Sequence, residues 1–429
     1  MTSAPWRLAC VDCGAAFDAF ALRYRCDCGG TLDAAPELEA LRGRVSLADF
    51  DARLASRAPL DRSGVWRFRE LLPPLEAGHV VTRLEGNTRL YDAPRVAAWC
   101  GLDALRLKHE GENPTGSFKD RGMTAGVSVA RRLGMTRVAC ASTGNTSASL
   151  ASYAAAAGME ALVFIPAGKI AYGKLAQALA YGARTLQIAG DFDAAMALVQ
   201  QVCAAEGIYL LNSLNPFRIE GQKAIGFELL QDLGWVVPDW LVLPGGNLGN
   251  SSALAKGLAE LHALGLIDRL PRIAVVQAAG ANPFYTAWHS GQPVRPTRAR
   301  TLASAIQIGD PVSWKKSLRG VQASGGVVEQ VDDQEIMDAK AVVDAAGIGA
   351  EPASCATVAG VRKLVAAGVI RADEHVCGVL TGHLLKDPDA VVRYHRGELE
   401  GIRSTYANRP VEIAGGVDAV LQWLRQPQD

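Results

Sequence analysis

One lysine stands where its neighbours could make it reactive. Residues 112–122 read ENPTGSFKDRG, so Lys119 follows a Pro/Gly turn and precedes an Ala/Val-rich helical stretch. A lysine acts as a nucleophile only when its ammonium is partly desolvated or lies near positive charge. The start of a helix is electropositive and supplies such an environment. The chemistry that fits is a Schiff base between Lys119 and pyridoxal 5′-phosphate, although for this segment alone a solvated surface lysine is the alternative.

A second polar segment has the chemistry to surround an anion. Residues 140–149 read CASTGNTSAS, between a short apolar strand and an Ala-rich helix at 150–157. Serine and threonine commonly cap helix starts, which accounts for one or two of these side chains. The remaining hydroxyls and the asparagine around one glycine predict a loop that binds an anionic group.

A third segment is rich in glycine and follows a predicted strand. Residues 240–250 read WLVLPGGNLGN and lead into a helix predicted at 251–264. Backbone amides at such a turn cradle a phosphate, because glycine allows close approach and positive φ. The spacing matches neither GxGxxG nor GxxxxGK[ST], so a dinucleotide or nucleoside triphosphate is disfavoured. With the lysine and the polar loop, a phosphate-bearing cofactor is the best interpretation.

Together these segments resemble the fold-type II pyridoxal-phosphate enzymes and, within them, the threonine synthases. The resemblance covers about residues 80–395, and NPFRIEGQK and LTGHLLKDPD are its most particular motifs. Arg89 stands where proline is common in the family. The matching segments, in chain order, are LEGNTRL, ENPTGSFKDRG, ASTGNTSAS, GKIAYGKLAQAL, LNSLNPFRIEGQK, PGGNLGN, EPASCATVAG and LTGHLLKDPD.

The resemblance implies roles for the cofactor-binding residues. Lys119 would hold pyridoxal 5′-phosphate and, once displaced by substrate, would remove the Cα proton. Asn145 would contact the 3′-oxygen of the ring, and Thr381 would hydrogen-bond the ring nitrogen without protonating it. The cofactor phosphate would be bound by main-chain amides of Gly246, Asn247, Leu248, Gly249 and Asn250.

A second set of residues is expected to bind the phosphate of the substrate. Arg218 is the best candidate, because guanidinium binds phosphate in bidentate fashion; the alternative is a surface ion pair with Glu220. Weaker candidates are Lys169 and Lys174. His383 is expected to satisfy a local hydrogen bond. The other residues of this pocket would be Ser142, Thr143, Thr146, Asn212 and Ser213.

The resemblance implies conversion of O-phospho-L-homoserine and water into L-threonine and phosphate. Cysteate synthase and the serine/threonine ammonia-lyases are alternatives on the same scaffold. Arg218 argues against the lyases, because serine carries no anionic leaving group. A catalytically inactive zinc-ribbon scaffold is the alternative from a different class, and the intact set of Lys119, Asn145 and Thr381 argues against it.

Four of the nine cysteines lie close together near the N-terminus. Cys10, Cys13, Cys26 and Cys28 form a CxxC-x12-CxC pattern that can close a tetrahedron around zinc, and many threonine synthases carry a similar ribbon. A structural zinc is the expectation, with unliganded or redox-active thiols as the alternative. The remaining cysteines are expected in the core: Cys100, Cys140, Cys203, Cys355 and Cys377.

The order of predicted elements indicates an α/β protein with parallel sheets. We expect a zinc-ribbon-like segment at 1–33, a helical connector at 34–79 and a catalytic region at 80–429, with the smaller, mobile lobe at about 110–210. The resemblance implies a tryptophan synthase β-like architecture of two α/β domains. Predicted strands are 105–108, 138–141, 161–165, 185–188, 241–244, 273–277 and 377–380; predicted helices include 122–133, 171–180, 192–205, 251–264 and 333–346.

The charge balance disfavours two classes of partner. The 44 basic and 44 acidic side chains give zero net charge, so nothing predicts binding to nucleic acid or to an anionic membrane surface. No apolar run is long enough to span a bilayer, and the N-terminus does not read as a signal peptide. A cytoplasmic enzyme is expected, and the resemblance implies a homodimer.

Overall fold

The computed structural model describes residues 5–167, 172–190 and 192–425, without the side chains of 172–174 and 192–194. The described strands form three sheets. They are β1 (Trp6–Cys10), β2 (Ala16–Asp18), β3 (Leu32–Pro36), β4 (Leu90–Asp92), β5 (Leu105–His109), β6 (Arg137–Ala141), β7 (Glu160–Pro166), β8 (Arg184–Ile188), β9 (Tyr209–Leu210), β10 (Trp240–Pro244), β11 (Arg272–Ala278), β12 (Val327–Val331) and β13 (Val376–Leu380).

Helices cover both larger sheets, as βαβ connections require. The described α-helices are α1 (Leu47–Ala52), α2 (Pro94–Cys100), α3 (Lys119–Arg132), α4 (Asn145–Ala157), α5 (Tyr172–Ala180), α6 (Phe192–Glu206), α7 (Pro216–Asp232), α8 (Gly249–Ala263), α9 (Pro283–Ser290), α10 (Trp314–Ala323), α11 (Asp333–Ala345), α12 (Pro352–Ala366), α13 (Pro388–Arg396) and α14 (Val417–Leu424). Within the described residues, none of the helices is both long and apolar enough to cross a bilayer.

The two larger sheets are parallel except for one edge strand. The six-stranded sheet has the order β12-β11-β10-β13-β5-β4, in which only β4 runs antiparallel to its neighbour. The four-stranded sheet has the order β8-β7-β6-β9 and is parallel throughout. Every residue of β10 and β13 is buried, which explains why their sequences WLVLP and VCGVL are almost continuously apolar.

The predicted α/β architecture is confirmed, and so are the predicted strands. Each of the seven lies within one residue of its observed bounds. Two helices begin three or more residues earlier than predicted: α3 starts at Lys119 and α4 at Asn145. Both starts consist of polar residues that interrupt the apolar periodicity, so the pattern alone placed the helix after them. The predicted helix 171–180 is observed from Tyr172, and residue 171 lies outside the described residues.

The N-terminal residues form a small antiparallel sheet. Strand β1 pairs with β2 on one side and with β3 on the other. This sheet packs on the rest of the chain through aromatic contacts: the ring of Phe20 stacks on Phe217 with centroids 5.9 Å apart, and the Tyr24 hydroxyl accepts from the Leu210 amide at 2.8 Å. Polar contacts tie it to α10 as well, including Lys315 to Asp12 at 2.7 Å.

The chemistry-bearing segments all follow the carboxyl ends of parallel strands. Strand β5 leads towards Lys119, β6 towards the hydroxyl-rich loop, β9 towards Arg218, β10 into the glycine-rich turn and β13 into Thr381. In parallel sheets these ends meet on one side, where ligands bind in crevices between loops. The fold therefore gathers residues from five distant stretches of sequence.

Candidate active site

Lys119 is the first residue of α3, and its side chain remains partly open to the cleft. Its ammonium lies 4.1 Å from the centroid of the Phe118 ring. Burial, and then the positive charge of Arg218, lower the pKa of Lys119 to about 7, while Glu351 acts in the opposite direction. A substantial fraction of this amine is therefore uncharged near neutral pH, as the sequence analysis required.

The loop before Lys119 is fixed against the segment that follows β13. The Phe118 amide donates to the Thr381 carbonyl at 3.0 Å, and the His383 amide donates to the Gly116 carbonyl at 2.9 Å. The predicted local role of His383 is confirmed, because its Nδ1 accepts from the Leu385 amide at 3.2 Å. These bonds place Lys119 next to Thr381.

Asp120, the neighbour of Lys119, holds the loop to α4. Its carboxylate accepts from the Thr115 amide at 2.7 Å and from the hydroxyls of Thr115 and Ser149, each at 2.6 Å. Burial raises its pKa to about 6. These bonds stabilise the turn that presents Lys119.

The hydroxyl-rich loop ends in Asn145, the first residue of α4. The Asn145 Nδ2 lies 3.2 and 3.1 Å from the two carboxylate oxygens of Glu351. Ser142, Thr143 and Thr146 are partly exposed, and the Ser142 Oγ accepts from the Gly144 amide at 3.2 Å. The loop is thus available to a ligand in the cleft.

The glycine-rich turn connects β10 to α8 as predicted. Leu248 lies at φ +62°, and α8 begins at Gly249, so the first amides of this helix lack intrahelical partners. The turn is packed closely from behind: a methyl group at Gly245 would lie 2.7 Å from Val275 Cγ1, and one at Gly246 would lie 3.2 Å from Ile306 Cα. This geometry suits an anion bound by main-chain amides.

Thr381 is buried at the end of β13, and its Oγ1 lies 3.1 Å from the Ser354 Oγ. Both groups are neutral hydroxyls. A cofactor nitrogen placed here would meet a hydroxyl and not a carboxylate.

Arg218 lies in the first turn of α7 and is only 2% exposed. One guanidinium nitrogen donates to the Leu211 carbonyl at 3.0 Å, and burial lowers its pKa to about 10. The alternative of a surface ion pair with Glu220 is wrong, because the Glu220 carboxylate binds Lys223 at 2.6 Å and Lys256 at 2.5 Å on another side of the helix. A buried guanidinium without a carboxylate partner is costly unless an anion joins it.

The other residues predicted to line the phosphate pocket differ in how accessible their side chains are to a ligand. The Asn212 side chain is engaged at both ends by Ala141, whose amide donates to Oδ1 at 2.9 Å and whose carbonyl accepts at 3.0 Å. Ser213 is partly exposed. Lys169 and the side chain of Lys174 lie outside the described residues.

Buried polar atoms without partners test whether the cleft fits a phosphorylated cofactor. Among the described residues, such atoms include the Ser117 Oγ, the Arg218 Nε, the Gln222 Oε1 and both side-chain polar atoms of Asn250. An unsatisfied buried polar group costs about 1–3 kcal/mol, so native proteins rarely keep several together. Ser117 precedes Lys119, Arg218 and Gln222 lie on α7, and Asn250 lies at the glycine-rich turn, while five further such atoms lie elsewhere in the described residues. The donor set therefore fits pyridoxal 5′-phosphate, with an amine for its aldehyde and amides for its phosphate.

Three residues near the site escaped the sequence analysis. Glu351 contacts Asn145, Ser354 contacts Thr381, and Gln222 lies one turn after Arg218 on α7. A methyl group at Gly249 would lie 4.0 Å from the Gln222 Oε1, which places this amide beside the glycine-rich turn. The only signal was their position in the EPASCATVAG and NPFRIEGQK motifs, which assigns no role by itself.

The four N-terminal cysteines converge at a separate place. Their Sγ atoms all lie within 4.8 Å of one another, with Cys10 and Cys28 at 3.5 Å and Cys13 and Cys26 also at 3.5 Å. A methyl group at Gly30 would lie 2.7 Å from the Cys10 Sγ, so the glycine is needed there. The five other cysteines are buried and free, as expected of core residues.

Comparisons with known proteins agree with this geometry. The family model described as pyridoxal-phosphate dependent enzyme matches residues 81–382. The chain therefore belongs to the pyridoxal-phosphate-dependent enzymes, with the fold-type II architecture. It is 49% identical to the threonine synthase of Methanosarcina acetivorans, over 90% of this chain and 94% of that protein. It is 45% identical to the threonine synthase of Methanocaldococcus jannaschii, with the same coverage. Within the class, the chain belongs to the threonine synthase family.

A solved structure resembles this fold over most of its length. The crystal structure of threonine synthase from Escherichia coli superposes with a TM-score of 0.69 and covers 90% of both chains, at 18% sequence identity. This similarity concerns the fold. Threonine deaminase isoform 2 from Solanum lycopersicum and maize serine racemase, each with a TM-score of 0.61 and 20% identity, share the fold over 70% and 72% of this chain.

Proposed function

We propose that this chain is a threonine synthase that converts O-phospho-L-homoserine and water into L-threonine and inorganic phosphate. Membership of the family supports the reaction. The observation that carries it in this chain is Arg218, a buried guanidinium whose Nε has no partner among the described residues and whose charge acts on Lys119. Such a cation suits a substrate whose leaving group is a phosphate.

The cofactor would be held by residues from four of the gathered segments. The Lys119 amine would hold its aldehyde carbon, Asn145 its ring oxygen, and Thr381 its ring nitrogen. Its phosphate would be bound by the amides of Gly246, Asn247, Leu248, Gly249 and Asn250. When bound, the cofactor supplies an electron sink that stabilises negative charge at the substrate Cα.

Lys119 would then act as the proton carrier. Once released by the substrate amine, the Lys119 amine would accept the Cα proton; burial and Arg218, which lower its pKa to about 7, favour the uncharged form that this role needs. Loss of a Cβ proton would expel phosphate from Cγ; a proton would then add at Cγ, water would supply the hydroxyl at Cβ, and a proton would return to Cα to give L-threonine. Arg218 would hold the phosphate throughout, with Ser142, Thr143, Thr146, Asn212 and Ser213 around it. We expect the released phosphate, still bound there, to help position the attacking water.

Two alternatives within the fold differ in their substrates. Cysteate synthase would use O-phosphoserine and sulfite, so it shares the need for a phosphate-binding cation. A serine/threonine ammonia-lyase needs no such cation, and the buried Arg218 favours the phosphorylated substrate. A catalytically inactive scaffold is the alternative from another class, and the absence of cofactor absorbance in the pure protein would support it.

The deciding experiment measures phosphate release together with the amino-acid product. With O-phospho-L-homoserine, we expect equal amounts of phosphate and L-threonine from the wild type and neither from Lys119→Ala. Lys363→Ala, a partly exposed lysine of α12, is the matched control and should retain activity. Borohydride reduction followed by peptide mass spectrometry should place the cofactor on Lys119. Cysteate from O-phospho-L-serine and sulfite, with no threonine from the first substrate, would overturn the substrate assignment.

The N-terminal cysteines would hold a structural zinc. The convergence of Cys10, Cys13, Cys26 and Cys28 and the close approach of Gly30 support a tetrahedral thiolate site. We expect one zinc per chain in the purified protein, lost in Cys13→Ser and retained in Cys203→Ala, whose thiol is buried elsewhere. Metal analysis by mass spectrometry checks this, and a full complement of zinc in Cys13→Ser would contradict it.

We also propose the domain organisation, assembly and location implied by the family. The ribbon would occupy 1–33, the connector 34–79 and the catalytic region 80–429. The residues 110–210 would form the smaller mobile lobe, and all four strands of the second sheet, β6 to β9, fall in this range. The enzyme would be a cytoplasmic homodimer. Sedimentation of the purified protein and fluorescence of a tagged chain in cells test these two expectations.

A further inference from the structure

The EPASCATVAG motif places a buried carboxyl group at the cleft that the proposed mechanism does not use. Glu351 directly precedes α12, is only 4% exposed, and its amide donates to the Gly382 carbonyl at 3.0 Å. The Glu351 carboxyl group lies against the Gly382 backbone: a methyl group added at Gly382 would lie 2.5 Å from the Glu351 carboxyl carbon. Glu351 is thus next to Thr381, the proposed partner of the ring nitrogen.

The side chain of Glu351 has one direct partner among the described residues. The Asn145 Nδ2 lies 3.1 and 3.2 Å from the two carboxyl oxygens, and no ion pair is formed within 4.0 Å in the described part of the chain. Lys119, Lys386 and Asp387 act on Glu351 only at longer range. A buried acid without an ion pair is costly to maintain, which suggests that its hydrogen bond has a use.

We propose that Glu351 is a positioning residue that fixes which end of the Asn145 side-chain amide faces the cofactor. The proposal rests on the cofactor-binding role proposed for Asn145. An amide group has a donor end and an acceptor end, and a carboxyl oxygen accepts from Nδ2. One Nδ2 hydrogen then binds Glu351, and the other is free to donate to the ring oxygen. Without the Glu351 carboxyl group as acceptor, the Asn145 amide can rotate. Its own Oδ1 could then face the ring oxygen of the cofactor, and the two oxygens would repel each other.

Three substitutions separate orientation from charge and from packing. Glu351→Gln keeps the length of the side chain and removes the acid, but replaces one of the two acceptor oxygens by an NH2 donor. Glu351→Asp keeps the acid but is one methylene shorter, so it withdraws from Asn145. Glu351→Met fills the same volume and accepts no comparable hydrogen bond. If orientation matters, Asp and Met resemble Asn145→Ala, and Gln, which can pair with either orientation of the Asn145 amide, lies between them and the wild type.

The test measures cofactor absorbance against pH and the dissociation constant of the cofactor in each purified holoenzyme. We expect the midpoint of the absorbance change to move in the same direction in Glu351→Met, Glu351→Asp and Asn145→Ala, with cofactor affinity weakened about tenfold, the effect of one lost hydrogen bond to a polar partner. The double variant Asn145→Ala/Glu351→Met should show no further change beyond Asn145→Ala. Glu374→Gln, a buried carboxylate that binds Trp240 at 3.0 Å, is the matched control and should leave both readouts unchanged.

Distinct outcomes overturn the proposal for distinct reasons. If Asn145→Ala shifts the absorbance and Glu351→Met does not, or if the two effects add, Glu351 does not orient Asn145. If Asn145→Ala itself has no effect, the assigned role of Asn145 is wrong and the Glu351 proposal falls with it. In that case threonine formation by the wild type would still stand, so the failure would not extend to the overall reaction. Should Glu351→Met fail to fold, the comparison of Glu351→Asp with the wild type and with Asn145→Ala carries the same decision.

Discussion

Arg218 and Lys119 lie on two different helices, α7 and α3, and the positive charge of the first adds to burial in lowering the pKa of the second to about 7. The helices approach closely at this point, because a methyl group at Gly122 would lie 2.8 Å from the Arg218 carbonyl oxygen. The residue expected to bind the substrate phosphate therefore also influences the amine that holds the cofactor. The two proposed roles, binding of the substrate phosphate and of the cofactor, are therefore electrostatically linked.

This coupling predicts the pH dependence of cofactor capture. The uncharged Lys119 amine reacts with the cofactor, so the rate of reconstitution of the apoenzyme should rise with pH around a midpoint near 7. In Arg218→Gln the positive charge that repels the Lys119 ammonium is lost. The protonated form of Lys119 is then more stable, so the midpoint of reconstitution should move to higher pH. Arg132→Gln, which removes an exposed guanidinium stacked on Phe20, is the control and should leave the midpoint in place. Equal midpoints in Arg218→Gln and wild type would contradict the coupling.

Arg218 also predicts how the enzyme recognises its substrate. A charge-assisted hydrogen bond is worth about 1.5–3 kcal/mol, so Arg218→Gln should lower kcat/KM for O-phospho-L-homoserine about 10- to 100-fold. Arg218→Lys keeps the charge but loses the bidentate geometry, and its activity should be intermediate. Inorganic phosphate should inhibit the wild type and do so much less in Arg218→Gln. A variant with bound cofactor and unchanged phosphate inhibition would show that the phosphate binds elsewhere.

The parts of the site carried by short segments could be predicted from sequence. Lys119, Asn145 and the glycine-rich turn each lie where a strand leads into a helix, and the fold brings those junctions together. The environment of these residues could not be predicted, because it comes from distant pairs. The contact of Glu351 with Asn145 joins residues 206 positions apart, and local patterns carry no information about such a pair. The bonds between the Asn212 side chain and the Ala141 backbone of β6 likewise join residues 71 positions apart.

Close packing of α7 on α3 predicts a large difference between two glycines of one helix. A methyl group at Gly221 would collide with the Arg121 carbonyl oxygen, which is backbone and cannot give way cheaply. Gly221→Ala should therefore destabilise the protein by about 3 kcal/mol or more. At Gly226 the nearest atom would be a Leu258 carbon at 3.6 Å, so Gly226→Ala should be neutral or stabilise by about 0.5–1 kcal/mol through helix propensity.

Urea unfolding of both glycine variants checks this expectation. The control is built into the pair, because both changes add one methyl group to the same helix. Similar midpoints for the two variants would mean that α7 shifts away from α3 at little cost. The position of Arg218 on α7 would then be less firmly fixed than the structure indicates.

A buried charge network around Glu228 predicts how stability depends on pH. Glu228 binds Lys108 at 2.7 Å and Arg121 at 2.9 Å, and its other oxygen lies 3.3 Å from Arg67. Burial alone would raise the pKa of Glu228, but Arg121, Lys108 and Arg67 overcome it and hold the pKa well below its usual range. Glu228→Gln leaves three buried cations short of one counter-charge, so it should cost about 3–5 kcal/mol at neutral pH.

The sign of the pH effect follows from the direction of this shift. A carboxyl group whose pKa is lower in the folded state contributes stability above its unfolded pKa, about 4.3 for glutamate, and loses it as the pH falls. The difference in unfolding free energy between wild type and Glu228→Gln should therefore be largest at pH 7 and shrink at pH 4. Glu39→Gln breaks an exposed, solvent-screened pair with Arg42 and should leave stability almost unchanged at either pH. A difference that grows on acidification would mean that Glu228 does not carry the buried negative charge.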